Sequence, residues 1–274
     1  MSPLSDIGNG TLLVEGKDDV HVISKLLAKY KLSVLRDSRD KGIYPLKLHL
    51  LLDNHAKVPL DIYPCEDEND GRDDKVTAIT EKFKARIINA RSNTVVIGLV
   101  LDNDHGHGHR GKQIEGVISR AIQERKEKAN VDFRWKNEQH FQIMTPGGYI
   151  AEPDNEFTPR IGCWLMPDHQ NEGMLETFLA KLVSNHGLFD HAKHAAQTAK
   201  EEHKAPYKDC HADKAIMHTY LAWQDEPGQP FGTAFELTEC FNPDHHLAGT
   251  FVNWIKELFR PRIKELTPCQ HPES

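Results

Sequence analysis

Residues 94–101 read TVVIGLVL, a β-branched, uncharged run too short for a typical helix. A strand apolar on both faces must be covered on both, and that is the position of a central strand in a parallel sheet. The run delivers Asp102, Asn103 and Asp104, then a Gly/His loop, then a helical pattern from about residue 113 to 128. The same order of strand, acidic turn and helix occurs at residues 11–14 (TLLV), which run into Glu15-Gly16-Lys17-Asp18-Asp19. There Val20, Ile23, Leu26, Leu27 and Tyr30 follow at helical spacing, and Asp18 or Asp19 is placed to cap the helix. It occurs a third time at residues 160–166 (RIGCWLM), which lead through Asp168 and Glu172 to Met174, Leu175, Phe178, Leu179 and Leu182. Three such units predict an α/β fold with a mostly parallel central sheet flanked by helices on both faces.

The remaining segments fill in that frame. Strands are expected at 46–52 and 141–144, and a helix over 76–88, after an acidic loop at 65–74 (CEDENDGRDD). Residues 186–209 read as exposed helix and loop, and helices around 213–223 and 247–259 enclose a turn-rich stretch, DEPGQPFG. One α/β domain over residues 1–260, with a C-terminal helical elaboration and a tail at 261–274, is the expected organisation, and 274 residues suffice for a sizeable core.

In open parallel sheets ligands bind beyond the carboxyl ends of the strands. Three strands here end in acid: Glu15 with Asp19, Asp102 with Asp104, and Asp168 with Glu176 a little further on. Carboxylates that converge repel, and a divalent cation or raised pKa values relieve the repulsion. Oxygen-only ligands suit Mg²⁺ or Mn²⁺, which engage substrate phosphates. Asp102 and Asp104, two apart on an extended backbone, point the same way and can face one ion. The plainer alternative is that each acid caps the helix after it.

The first and second motifs, Leu12-Leu13-Val14-Glu15-Gly16 and Leu99-Val100-Leu101-Asp102-Asn103-Asp104, resemble the Glu-Gly and Asp-x-Asp motifs of the Toprim superfamily. Residues 162–176 (GCWLMPDHQNEGMLE) and 214–232, with the core LAWQDEPGQPFG, resemble a stand-alone Toprim-like bacterial family of unknown function, related to the OLD (overcoming lysogenisation defect) nucleases. The resemblance covers most of the chain. It implies a Toprim-like (Rossmann-like) fold and a metal-dependent phosphodiesterase, a nuclease acting on DNA or RNA. It further implies Glu15 as general acid or base, Asp102 and Asp104 as Mg²⁺ ligands, and Asp19 with Glu176 or Asp168 at a second metal position. The chain has no long extra region for a topoisomerase tyrosine domain, a primase zinc module or an OLD ATPase, so those whole-protein functions are not expected. The alternative is a catalytically silent Toprim-fold module that binds a nucleotide or a protein partner.

Composition narrows the field. A net charge of −7 opposes a broad electrostatic grip on nucleic acid and gives weight to the silent module, though local basic patches are compatible with it. No apolar run approaches the length that spans a bilayer, and the first ten residues lack the pattern of a signal peptide, so a cytoplasmic protein without membrane attachment is expected. Five scattered cysteines with no Cys-x-x-Cys pair read as reduced thiols. Homo-oligomerisation is left open.

Two further motifs compete. Residues 106–112 match G-x-x-x-x-G-K between a strand and a helix, but Gln113 stands where a P-loop has Ser or Thr. His105, His107 and His109 alternate with glycine and could ligate a transition metal or contact phosphate.

Overall fold

The computed structural model describes residues 10–36, 43–52, 56–65, 75–103, 108–136, 143–144, 146–237 and 239–261. The chain runs β1 (Gly10–Val14), α1 (Lys17–Lys29), β2 (Ser33–Leu35), β3 (Leu46–Leu51), β4 (Lys57–Pro64), α2 (Lys75–Asn89) and β5 (Val96–Asp102). It continues through α3 (His109–Ala129), β6 (Tyr149–Ala151), β7 (Arg160–Met166), α4 (Leu175–Lys181) and α5 (His186–Glu201). A 3-10 turn at Asp209–His211 then leads to α6 (Ala212–Ala222), α7 (Phe231–Leu237) and α8 (His246–Phe259).

The strands form one seven-stranded sheet in the order β2-β3-β4-β1-β5-β7-β6. Its four central strands, β4, β1, β5 and β7, are mutually parallel, whereas β2, β3 and β6 join antiparallel at the edges. The α/β class is therefore as expected, with a mixed sheet that is parallel in its centre. The strongly apolar runs take the central places: all of β7 is buried, as is β5 up to Asp102.

Alternate residues of the strands enter two separate cores. Leu12 and Val14 join Val100 and Trp164 in one, together with Ile23 of α1, Phe178 of α4, Tyr220 of α6 and Phe251 of α8. Leu13, Leu99 and Leu101 join the other, with Phe83 of α2 and Ile118 of α3. The connection leaving β1 toward β4 thus carries its helix on one face, and those leading to β5 and β7 carry theirs on the opposite face, as right-handed crossovers require. Gly98 and Gly162 lie opposite each other in register and let α8 approach the sheet, because a Cβ on either would stand 3.0 Å or less from a Leu258 methyl.

The chain order creates a topological switch point. From β1 the path leads toward β4, and from its neighbour β5 it leads the other way, to β7. A crevice therefore opens between the carboxyl ends of β1 and β5, where sheets of this kind take their ligands.

Strand β4 was not anticipated, and it carries two prolines. Pro59 is the third residue of the strand and lies one register position ahead of Gly10, and Pro64 is its last residue. Strands β2 and β6 are three residues each, too short to show a period. The strand expected at 141–144 is not formed by Ile143 and Met144, and residues 141 and 142 lie outside the described residues. So do residues 66–74 of the acidic loop and most of the tail. Among the described residues no helix is long and apolar enough to cross a membrane, and Cys65, Cys163, Cys210 and Cys240 carry no disulfide.

Candidate active site at the switch point

Parallel pairing of Val14 with Val100 brings the tips of β1 and β5 side by side. Glu15 follows β1 directly, and its Oε1 accepts the backbone N–H of Asp102 at 2.9 Å. Residues far apart in sequence thus meet across the switch point, and the Glu15 carboxylate has a fixed orientation.

Asp19 enters from the first turn of α1. Its Oδ2 accepts the N–H of Gly16 at 2.9 Å, so it does cap the helix, as the plainer reading of the sequence held. It also faces the cluster. Burial, then the charge of Glu15, push its pKa up from 3.8 to about 8, with smaller contributions from Glu176 and Asp18 and against the stabilising Gly16 N–H. Repulsion among Glu15, Asp19 and Glu176 is the electrostatic signature of carboxylates drawn together.

That shift has a consequence for stability. The unfolded chain ionises Asp19 near 3.8 and the native chain only near 8, so the folded state binds the extra proton between these values and loses stability as pH rises through them. Asp19→Asn keeps an acceptor for Gly16 and removes the charge. The variant is expected to be more stable than the wild type at the alkaline end of this window, with the advantage vanishing at the acid end. Urea unfolding at the two ends checks this, and a variant that gains nothing at the alkaline end contradicts it.

The third contribution comes from α4. Asp102 Oδ1 accepts the N–H of Leu175, the first residue of that helix, at 3.0 Å. The next residue, Glu176, is only 5% exposed. It forms an ion pair with Lys214 of α6 at 3.3 Å. The ammonium of Lys214 is disfavoured by burial, but the charges of Glu176, Asp18 and Asp102 overcome this and raise its pKa. Thr177 Oγ1 donates to Asp213, fastening α4 to α6 beside this pair.

The tip of β5 is held from behind. Arg110, 1% exposed, donates from Nε to the carbonyl of Asp102 and from Nη1 to Gln113. Asn103 pairs through its backbone with Gly173 and donates from Nδ2 to the carbonyl of Asn171. The turn between β7 and α4 is therefore tied to the tip of β5.

Asp168 belongs to that turn. Its Oδ1 accepts the N–H groups of Gln170 and Asn171, and its Oδ2 accepts the side-chain amide of Asn171. Burial would raise its pKa, but these bonds and Lys181 hold it below the usual range. The neighbouring His169 is fully buried, with Nδ1 accepting from Leu165 N and Nε2 paired with the carbonyl of Ile143. Burial lowers its pKa to about 4, so the ring is neutral at physiological pH.

Of the residues singled out from the sequence, Glu15, Asp19, Asp102 and Glu176 converge, and Asp168 closes its own turn. Asp104, His105 and His107 lie outside the described residues, and His109 opens α3. Sequence reasoning missed Lys214 and Arg110. The donors are all hard oxygens with a surplus of negative charge, which fits Mg²⁺ or Mn²⁺. Among the described residues no three acidic, His or Cys side chains stand close enough to hold one ion.

A family model described as "Protein of unknown function (DUF3226)" matches residues 9–260. The chain belongs to that family, and the match takes in every strand and helix that frames the crevice. No curated protein and no solved structure matches the chain.

Proposed function

We propose that this protein has a Toprim-type fold and is a metal-dependent phosphodiester-cleaving enzyme, a nuclease acting on DNA or RNA. The observation that carries the reading is the bond from Asp102 N to Glu15 Oε1, which ties the carboxylate at the end of one strand to the backbone of the acidic residue ending the next, at the switch point of a parallel sheet. Asp102 and Asp104 would hold Mg²⁺ or Mn²⁺, with Asp19 and Glu176 assisting. Such an ion, when bound, neutralises charge on a phosphoryl oxygen and lowers the pKa of water.

The chain's own groups supply the rest. Glu15, oriented by Asp102 N–H, takes a proton of the attacking water as the water oxygen bonds to phosphorus and the bond to the leaving alkoxide breaks, the alkoxide taking its proton from solvent. Arg110 and the Asn103–Gly173 bridge keep the tip of β5 in place for this. Lys214 offsets the charge of Glu176 and offers a cation at the rim of the crevice.

That same ion pair favours a second reading, in which Lys214 already balances part of the cluster and the crevice binds a nucleotide or a partner without chemistry. The two separate in one assay. Purified protein is incubated with single-stranded DNA, double-stranded DNA and RNA in Mg²⁺ or Mn²⁺, beside Asp102→Ala and a chelator control. Cleavage lost in the variant and in chelator supports the enzyme. Cleavage that survives Asp102→Ala defeats the assignment of this site, and none with any substrate and metal leaves the binding module.

A further inference from the structure

The half of the sheet formed by β4, β3 and β2 is buried on one face only. Leu48, Leu50, Val58, Leu60 and Ile62 point into the core shared with α1. The alternate residues Lys47, His49, Lys57, Pro59 and Asp61 lie on the opposite face and are exposed or half-buried. Helix α2 covers β1 and β5 on that side, and along its flank runs a groove of about 460 Å³ lined by Leu13, Tyr63, Lys82, Ala85, Arg86 and Asn89. The Arg86 guanidinium lies 4.7 Å above the Tyr63 ring.

Among the described residues of these strands, basic side chains outnumber acidic ones. The chain carries −7, yet within β2, β3 and β4 the one acid is Asp61, and it is ion-paired with Arg36. Lys47 and Lys57 are both exposed. His49, between them, has its pKa lowered by burial and then by the charges of Arg36 and Lys57. The face also leads to the candidate site, because Tyr63 pairs with Leu13 and Pro64 with Val14, one residue before Glu15. A cationic surface with an aromatic ring is the combination that tracks a polyanionic strand.

We propose that this open face, with Lys47 and Lys57 on it and Arg86 over Tyr63 at its border, is where the phosphate backbone of a nucleic-acid strand lies as it runs to the crevice between β1 and β5. The inference rests on the nuclease reading and gives it a path for the substrate. It reconciles an acidic protein with a polyanionic ligand, since the grip is local and the acidic surface elsewhere repels.

Binding is measured with the full chain in chelator, by anisotropy of a short fluorescein-labelled oligodeoxynucleotide across a salt series. Lys47→Glu/Lys57→Glu is expected to weaken binding by at least about tenfold, and Lys47→Gln/Lys57→Gln to lower the salt slope by about 1.4, the share of two phosphate contacts on a single strand. Lys193→Glu/Lys208→Glu, the same charge change at exposed positions in and after α5, is expected to leave affinity nearly unchanged. Equal losses in the two Glu pairs, no loss in the face variants, or no binding by the wild type each overturns the proposal. Hydrolysis of bis(p-nitrophenyl) phosphate, too small to need the face, is followed separately in Mg²⁺ or Mn²⁺ without chelator. If it is retained in the face variants and lost in Glu15→Gln, the catalytic reading stands whatever the binding result.

Discussion

Glu15→Gln is expected to lower phosphodiester cleavage by about a thousandfold, the scale of one positioned acid or base, while the protein stays folded. The side-chain carbonyl of Gln still accepts the N–H of Asp102, so the link between the tips of β1 and β5 is retained and only the proton acceptor is lost. The change also removes the charge that contributes most, after burial, to the raised pKa of Asp19. The variant should therefore be at least as stable as the wild type at neutral pH. Loss of activity with stability kept is the signature of a chemical role. A variant that cleaves normally, or that loses activity only because it unfolds, contradicts the role given to Glu15.

The largest effect on stability is expected at Trp164. Its side chain is fully buried in β7, with ring centroids 5.1 Å from Phe251 and 5.8 Å from both Trp254 and His169. Trp164→Ala empties the junction of β7, α8 and the turn that carries Asp168, and should cost about 4 kcal/mol in urea unfolding. Trp164→Phe should cost well under half of that, because among the described residues the indole N–H has no hydrogen-bond partner to lose. Equal costs for the two variants would mean that ring packing is not what stabilises this junction.

The central strands were legible in the sequence because burial on both faces leaves an unbroken apolar run, as in residues 160–166. Strand β4 was not, because only one of its faces enters the core fully, and Lys57, Pro59, Asp61 and Tyr63 alternate with the core positions. Glu15 and Asp102 could be picked out because each ends such a run, where side chains are held rigidly at the sheet's edge. Lys214 could not. It arrives on α6, and only the packing of α6 on α4 brings it to Glu176. Arg110 looked like part of a Gly/His loop, and its grip on the Asp102 carbonyl depends on where α3 begins. Asp168 carried the same surface signal as Asp102, an acid after an apolar strand. The amide groups of Gln170 and Asn171 that occupy its oxygens come from the local path of the turn, which spacing alone does not specify.

The proposed chemistry requires one shared divalent ion at the crevice between β1 and β5, and anomalous diffraction from Mn²⁺-soaked crystals tests for it most directly. A manganese peak is expected at bonding distance from the Asp102 and Asp104 carboxylates, with Glu15 beside it. A peak only elsewhere in the molecule, or none at saturating Mn²⁺, would contradict it.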